Sequence, residues 1–229
     1  PNKEQNVLMI TSSISSEGKS FCSINLAVMM AMSGRKTILV GCDLRKPKIT
    51  VGFDFTSEVG LSNYLIGIAN EKEIIQNSGS IPNLDIILSG PKPPNPSELI
   101  ISPKMDELFA YLRKHYDNII LDTPPIGLIT DAMVLSKYAD VNIYVVRQGV
   151  TRRHHINFVN KLYNEGKIRN VCVIMNAMKV SNRSYGYGYE YSYGYGYGYG
   201  YGYGYYEEDA PKGGFGSAIK SVFSSKKRR

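Results

Sequence analysis

Tryptophan is absent from this sequence of 229 residues, and cysteine occurs only three times. Cys22, Cys42 and Cys172 are isolated, odd in number and surrounded by apolar residues, so they do not form an obvious disulfide framework. A cysteine-based metal site lacks the necessary pairing, and the adjacent His154 and His155 would point in different directions on a helix. We therefore expect core thiols in a reducing compartment.

Long apolar runs and strong net charge are also missing. No run approaches the roughly 18 apolar residues that span a bilayer, and there is no signal peptide. The chain starts at Pro1 without Met, so we expect it to be cut from a longer protein with a membrane-spanning part upstream. Net charge is +7 overall and, with 21 basic and 16 acidic residues, +5 before Tyr185. This charge is too weak to predict nucleic-acid binding and suits a phosphate-rich ligand or an acidic surface.

Apolar segments typical of buried strands alternate with helical patterns along most of the chain. This alternation predicts an α/β fold with a mostly parallel sheet and helices on both faces. The predicted strands are 6–13, 36–43, 84–90, 118–125, 141–148 and 170–177. The predicted helices are 19–34, 61–65, a helix capped by Ser97 and running to about His115, and 151–166.

The alternation stops after Met178, and residues 184–206 read SYGYGYEYSYGYGYGYGYGYGYY. Glycine makes such a backbone costly to order, so no core can use these phenols. We expect an α/β domain over residues 1–180 and a low-complexity tail over 181–229, mostly disordered in isolation and ending in SSKKRR. Twelve of the chain's 18 tyrosines fall in this repeat: Tyr185, Tyr187, Tyr189, Tyr191, Tyr193, Tyr195, Tyr197, Tyr199, Tyr201, Tyr203, Tyr205 and Tyr206.

The segment SSISSEGKS, residues 12–20, joins the first predicted strand to the first predicted helix. It fits the Walker A pattern G-x-x-x-x-G-K-[ST], the signature of a P-loop NTPase, except that Ser13 replaces the first glycine. In such loops the lysine contacts the β- and γ-phosphates and the last serine binds Mg²⁺, while backbone N–H groups hold the phosphates. The predicted phosphate contacts are Ser15, Ser16, Glu17, Gly18, Lys19, Ser20 and Phe21.

Two acids lie at the ends of apolar strand segments, Asp122 in IILD and Asp43 in LVGCDLRKP. Because parallel strands end at one edge of the sheet, both acids should lie beside the phosphate loop, residues 12–20. We predict that they surround Mg²⁺ together with Ser20, and that Lys19, Asp43 and Arg45 carry catalysis. The simpler alternatives are a helix cap or turn at Asp122 and a solvated charged loop after Asp43.

These motifs resemble those of the bacterial tyrosine kinases, the cytoplasmic ATP-dependent domains of capsule and exopolysaccharide export systems. The resemblance runs from about Val7 to Met178 and includes TSSISSEGKS, DLRKP and IILDTPP, together with GLSNYL, PPNPSELI and DAMVLSKYADVNIYVVRQGVTR. It implies ATP and Mg²⁺ as cofactors and autophosphorylation of the C-terminal tyrosine cluster. In this superfamily an asparagine after the last strand contacts the adenine base, which points to Asn176, with Arg147 at the end of the neighbouring strand.

The resemblance also implies partners and a location. It implies a homo-oligomer in which the tail of one subunit enters the active site of its neighbour, a membrane activator segment upstream, and an opposing protein-tyrosine phosphatase. Nucleic acid is not among these partners. The implied location is the cytoplasmic face of the bacterial inner membrane, and the implied role is control of polysaccharide synthesis and export.

Two positions depart from the family pattern. The family's Walker A′ segment reads Asp-x-Asp, whose first acid is a candidate for activating the attacking tyrosine, but here that position is Gly41. Either Asp43 serves both metal and base, or another carboxylate substitutes, or the kinase is weakened. The family's Glu/Arg motif that packs subunits into rings is also replaced, by PNKEQN, which leaves ring formation open for this sequence.

Two other functions fit parts of the sequence. ParA/MinD-type ATPase switches share the fold and the Walker elements without a protein substrate, but their loop has a second lysine where this chain has Ile14. Tyr-Gly repeats can also self-associate through stacking and β-pairing, which would make the tail an adhesive. Phosphotyrosine formed on addition of Mg-ATP would favour the kinase over both.

Overall fold

The computed structural model describes residues 5–46, 49 and 59–179 of the chain. The predicted tail and its twelve tyrosines lie outside these described residues. Within them, no helix is both long and apolar enough to cross a membrane.

Seven strands form one sheet in the order β3-β4-β2-β5-β1-β6-β7. Every neighbouring pair is parallel except β3 with β4, which is antiparallel. The predicted mostly parallel α/β fold is therefore confirmed, and β3 is the strand that the sequence pattern missed. The strands are β1 Val7–Ser12, β2 Thr37–Gly41, β3 Ile75–Asn77, β4 Leu84–Ile87, β5 Asn118–Asp122, β6 Val141–Arg147 and β7 Val171–Asn176.

Both faces of the sheet are covered by helices. On one face, Ile24 and Ala27 of the first helix pack in a cluster with Leu39 of β2 and Ile120 of β5. On the other face, the helix Pro103–His115 contributes Leu108, Phe109 and Leu112 to a cluster that includes β1 and β2 residues. Every residue of the central strands β2 and β5 is buried, and the middle of each strand is apolar because helices cover the sheet on both faces.

The helices are α1 Lys19–Met32, α2 Leu61–Leu65, α3 Glu71–Ile74, α4 Pro96–Ile101, α5 Pro103–His115, α6 Asp131–Leu135 and α7 Arg153–Asn164. The single helix predicted to run to His115 is wrong, because it is divided at Ser102, whose ψ of 151° is extended. The residue before a proline disfavours the helical region, and Pro103 follows directly. Ser97 is not a cap, since Asn95 holds that position and Pro96 begins the helix.

The strand β7 at one edge of the sheet leaves apolar side chains in contact with solvent, Val173 and Met175 among them. Cys172 on this strand is exposed, so the prediction of a core thiol is wrong there. Cys42 is buried as predicted, and Cys22 is half-buried. The expectation failed at Cys172 because an apolar strand sequence does not reveal whether a helix covers each of its faces.

We predict that the thiols of Cys42 and Cys172 differ sharply in reactivity. Burial, and then the neighbouring charges of Asp122 and Asp43, raise the pKa of the Cys42 thiol well above its usual range. Since the thiolate is the nucleophile, iodoacetamide at pH 8 should modify Cys172 and leave Cys42 intact in the folded protein. Peptide mass spectrometry measures both, with urea-unfolded protein as the control in which both react. Equal labelling in the folded protein would contradict this arrangement.

Candidate active site

Lys19 is the first residue of α1, and its ammonium is buried. Its Nζ lies 3.2 Å from Asp122 Oδ1 and 3.9 Å from Asp43 Oδ2. It also donates a hydrogen bond to Ser20 Oγ at 3.2 Å. The structure thus brings the predicted lysine, serine and two acids together at the carboxyl edge of the sheet.

Asp122 ends β5 and is 1% exposed. Its Oδ2 accepts a hydrogen bond from Ser20 Oγ at 2.8 Å, and its Oδ1 accepts one from Ser23 Oγ at 3.2 Å. Ser23 was missed by the sequence analysis, although it lies four residues after Lys19 and therefore on the same face of α1. Each oxygen of Asp122 thus accepts at least one hydrogen bond from Lys19, Ser20 or Ser23.

Asp43 follows β2 and is also buried. Its Oδ1 accepts the backbone N–H groups of Arg45 at 3.3 Å and Lys46 at 3.0 Å, which turns Oδ2 toward Lys19. Asp43 is therefore not part of a solvated loop, because one of its oxygens is bonded to the backbone and the other faces Lys19.

Gly41 occupies the position where the family has its first acid, and the structure gives a packing reason. A Cβ at this position would lie 2.8 Å from Ser89 Oγ and 3.1 Å from both Ser89 N and Ile49 Cδ1. Ser89 is buried and donates its hydroxyl to the carbonyl of Gly41 at 2.9 Å. Ser89 thus fills the space that any side chain at position 41 would need.

Arg45 reaches the same rim, but its guanidinium is held by other residues. Its Nε donates to Asp131 Oδ2 at 3.0 Å, and one terminal nitrogen donates to Ser97 Oγ at 2.7 Å. Ser97 in turn donates to Asp131 Oδ1 at 2.7 Å. Ser97 and the buried Asp131 position Arg45, a role that the sequence pattern did not indicate. The predicted catalytic role of Arg45 stays a prediction.

The phosphate loop needs glycine at position 18 for two reasons. Gly18 has φ of +95°, and a Cβ there would lie 2.0 Å from Asn176 Nδ2. Ser13, at the first-glycine position, has no such requirement, and its hydroxyl is hydrogen-bonded to the hydroxyl of Tyr144. The departure from the Walker A pattern therefore leaves the loop intact.

Arg147 and Asn176, predicted to contact adenine, both touch the phosphate loop. The guanidinium of Arg147 donates to the carbonyl of Ser16 at 2.7 Å, and Asn176 Nδ2 donates to the carbonyl of Glu17 at 3.0 Å. Both residues end strands on the same side of β1. Their contact with the base itself stays a prediction.

A cavity of about 370 Å³ opens over this cluster. It is lined by most of the loop between Ser12 and Phe21, by Asp43 and Arg45, and by Arg147 on the far side. Hydroxyl and carboxylate oxygens are the ligands that Mg²⁺ prefers, and the N-terminus of the 14-residue helix α1 attracts phosphate. The donor set therefore fits a nucleoside polyphosphate with its metal ion.

A strand, a loop with Gly18 and Lys19, a long helix and a strand-terminal acid define a P-loop nucleotide-binding protein. A family model described as an AAA domain matches residues 7–168. A structure of the septum site-determining protein MinD from Pyrococcus horikoshii OT3, complexed with Mg-ADP, has a TM-score of 0.61. The superposition covers 74% of this chain and 68% of the MinD chain at 21% identity, so this likeness shows the fold alone.

More specific relatives are tyrosine kinases. Tyrosine-protein kinase YwqD of Bacillus subtilis (strain 168) is 37% identical over 186 residues, 81% of this chain and 78% of the relative. Tyrosine-protein kinase CpsD of Streptococcus agalactiae serotype III is 34% identical over 185 residues, 80% of this chain and 79% of the relative. The kinase domain of Escherichia coli tyrosine kinase ETK superposes with a TM-score of 0.75 at 33% identity, covering 83% and 75% of the two chains. The chain belongs to the bacterial tyrosine-protein kinases.

We predict that Gly41 and Ser89 are energetically coupled. Gly41→Ala should destabilise the fold by about 1–3 kcal/mol, because the new Cβ overpacks the site. Ser89→Gly removes the nearest atom, so the double variant should be more stable than the sum of the two single effects predicts. Urea unfolding of the four proteins measures this cycle. Additive effects would show that Ser89 does not occupy the space. Gly41→Asp, which restores the family's acid, needs the same Cβ and should carry the same cost.

Proposed function

We propose that this kinase uses ATP and Mg²⁺ to phosphorylate the tyrosines of its own C-terminal cluster. The observation that carries the proposal is the buried Lys19 between Asp122 and Asp43, in a chain that also has twelve clustered tyrosines. A tyrosine oxygen forms a bond to the γ-phosphorus of ATP, and the bond from that phosphorus to the β,γ-bridging oxygen breaks. ADP leaves, and the phenolic proton passes to a base.

The cationic and anionic residues of the site have different roles in this reaction. Lys19 is suited to the β- and γ-phosphate oxygens, where its ammonium stabilises the charge that develops in the transition state. Ser20, Asp122 and Asp43 would hold Mg²⁺, which neutralises phosphate charge when bound. Arg45 lines the same cavity, and its link to Asp131 favours a role at the rim.

Asp43 is the acid that best fits the proton acceptor in the absence of an acid at position 41. Both oxygens of Asp122 already accept side-chain hydrogen bonds, from Lys19 and Ser23 at one oxygen and from Ser20 at the other. The buried Asp131 is paired with Arg45. One oxygen of Asp43 is bonded to backbone N–H groups, whereas the other lies at the longer distance of 3.9 Å from Lys19 Nζ. Asp43 would therefore serve both the metal and the proton.

The proposal also assigns the two segments of the chain, their partners and their location. A kinase domain over residues 1–180 would act on the tail, 181–229, of a neighbouring subunit in a homo-oligomer. The resemblance to the family supports an upstream membrane activator, a location at the cytoplasmic face of the bacterial inner membrane, an opposing phosphatase, and control of capsule or exopolysaccharide synthesis. The MinD-type alternative is supported by the fold alone, and Ile14 stands where its second lysine would be.

We predict that Lys19→Met lowers phosphotyrosine formation about 10²–10³-fold, because an aligned cation is lost from the transition state. Intact-mass spectrometry before and after Mg-ATP counts the phosphates added per chain. The matched control is Lys72→Met, which makes the same change at an exposed residue of α3. Wild-type phosphorylation in purified Lys19→Met protein would show that the active site lies elsewhere. ATP hydrolysis without phosphotyrosine in the wild type would favour the ATPase switch.

We predict that Asp43→Asn slows phosphoryl transfer about 10²–10⁴-fold at pH 7.5, the usual contribution of a general base. The difference in rate between Asp43→Asn and the wild type should decrease toward pH 9.5, because a phenol with pKa near 10 then loses its proton without a general base. Single-turnover rates across this pH range measure the effect, with Asp122→Asn as the comparison. Asp122→Asn should weaken nucleotide binding and keep its defect at high pH. A defect of Asp43→Asn that is constant with pH would restrict Asp43 to the metal.

A further inference from the structure

Glu17 is an acid in the middle of the phosphate loop, yet its side chain is wholly buried. Its Oε2 accepts the backbone N–H of Ile14 at 2.9 Å, and its Oε1 accepts a hydrogen bond from the hydroxyl of Thr151. A buried carboxylate is costly unless its oxygens are hydrogen-bonded, and these two donors satisfy one oxygen each. The carboxylate is therefore a structural acceptor within the loop.

Thr151 belongs to the turn that follows β6. Its Oγ1 accepts the backbone N–H of Arg147 at 2.8 Å while donating to Glu17, so its hydroxyl has a fixed direction. Its own backbone N–H donates to the carbonyl of Arg147 at 3.0 Å. The turn and the end of β6 thus form one hydrogen-bonded unit that contacts the loop through both Arg147 and Thr151.

Three donors from β6, from its turn and from β7 converge on two adjacent loop residues. Arg147 holds the carbonyl of Ser16, Asn176 holds the carbonyl of Glu17, and Thr151 holds the Glu17 side chain. In a trans peptide the C=O of one residue and the N–H of the next point in opposite directions. Fixing these two carbonyls therefore also fixes the directions of the N–H groups of Glu17 and Gly18.

We propose that Thr151, acting through Glu17, is a positioning residue that sets the N–H groups of the phosphate loop for the nucleotide's phosphates. This inference rests on the proposed binding of ATP at this loop. Residues on this side of the site can have two different roles, contact with the base and positioning of the phosphate loop. A residue that contacts the base affects only ligands that have a base, whereas the Thr151–Glu17 contact acts on the phosphates of any ligand.

The test measures the affinities of the full chain for Mg-ATP and for magnesium tripolyphosphate, which has no base. Thr151→Val keeps the shape and removes the hydroxyl, which leaves a buried carboxylate oxygen without its donor. We expect both affinities to fall by the same factor, on the order of tenfold. Thr151→Ser restores the hydroxyl and should restore both. Thr130→Val, the same change at an exposed residue, is the matched control.

Other outcomes overturn the inference in distinguishable ways. Loss of Mg-ATP affinity alone would make Thr151 a base-side residue, and no change in either affinity would remove it from the site. Glu17→Gln provides a second route if Thr151→Val fails to fold. Glu17→Gln should lower the affinity for both ligands. The double variant should bind them as well as the single variant with the lower affinity, because both changes break the same contact. A wild-type chain that binds neither ligand would overturn the proposed function as well.

Discussion

A buried ion pair between Lys19 and Asp122 connects the helix of the phosphate loop to the centre of the sheet. The two residues are 103 positions apart in the chain, and both are almost excluded from water. Removing each charge from water costs several kcal/mol, so such a pair is often no more stabilising than apolar residues of similar size. Stability alone therefore does not account for it. The proposed function gives the pair a different reason, since its cation and its anion would both be used in chemistry. Ser23 donates to the same Asp122 oxygen as Lys19, and Ser20 donates to the other one.

The order of the strands divides the site into two halves around β1, which leads into the loop. On one side β5 and β2 end at Asp122 and just before Asp43, so both predicted metal ligands lie there. On the other side β6 and β7 end at Arg147 and Asn176, which bond to loop carbonyls. A parallel sheet produces this separation automatically, because all these strands deliver their last residues to one edge.

The same geometry explains what could be predicted from sequence. Lys19, Asp43 and Asp122 were identifiable because each follows a strong local pattern, a strand or a glycine-containing loop. The strand β3 was missed because three residues carry no periodicity and its pairing with β4 is antiparallel. Thr151 and Ser89 were missed for a different reason. Each acts through a partner 134 or 48 residues away, and such contacts leave no local signal in a single sequence.

The loss of an acid at position 41 raises the question of whether a dense tail compensates for it. Twelve acceptor tyrosines instead of one raise the number of productive encounters by at most a factor of twelve. That factor is worth about 1.5 kcal/mol, since tenfold corresponds to about 1.4 kcal/mol. A general base contributes about 10²–10⁴-fold, or roughly 3–5 kcal/mol. The gain in rate from additional acceptors is therefore too small to compensate for a missing general base. Under the proposed function, Asp43 would supply it while also facing Lys19, and the repeat would set the extent of modification rather than its rate.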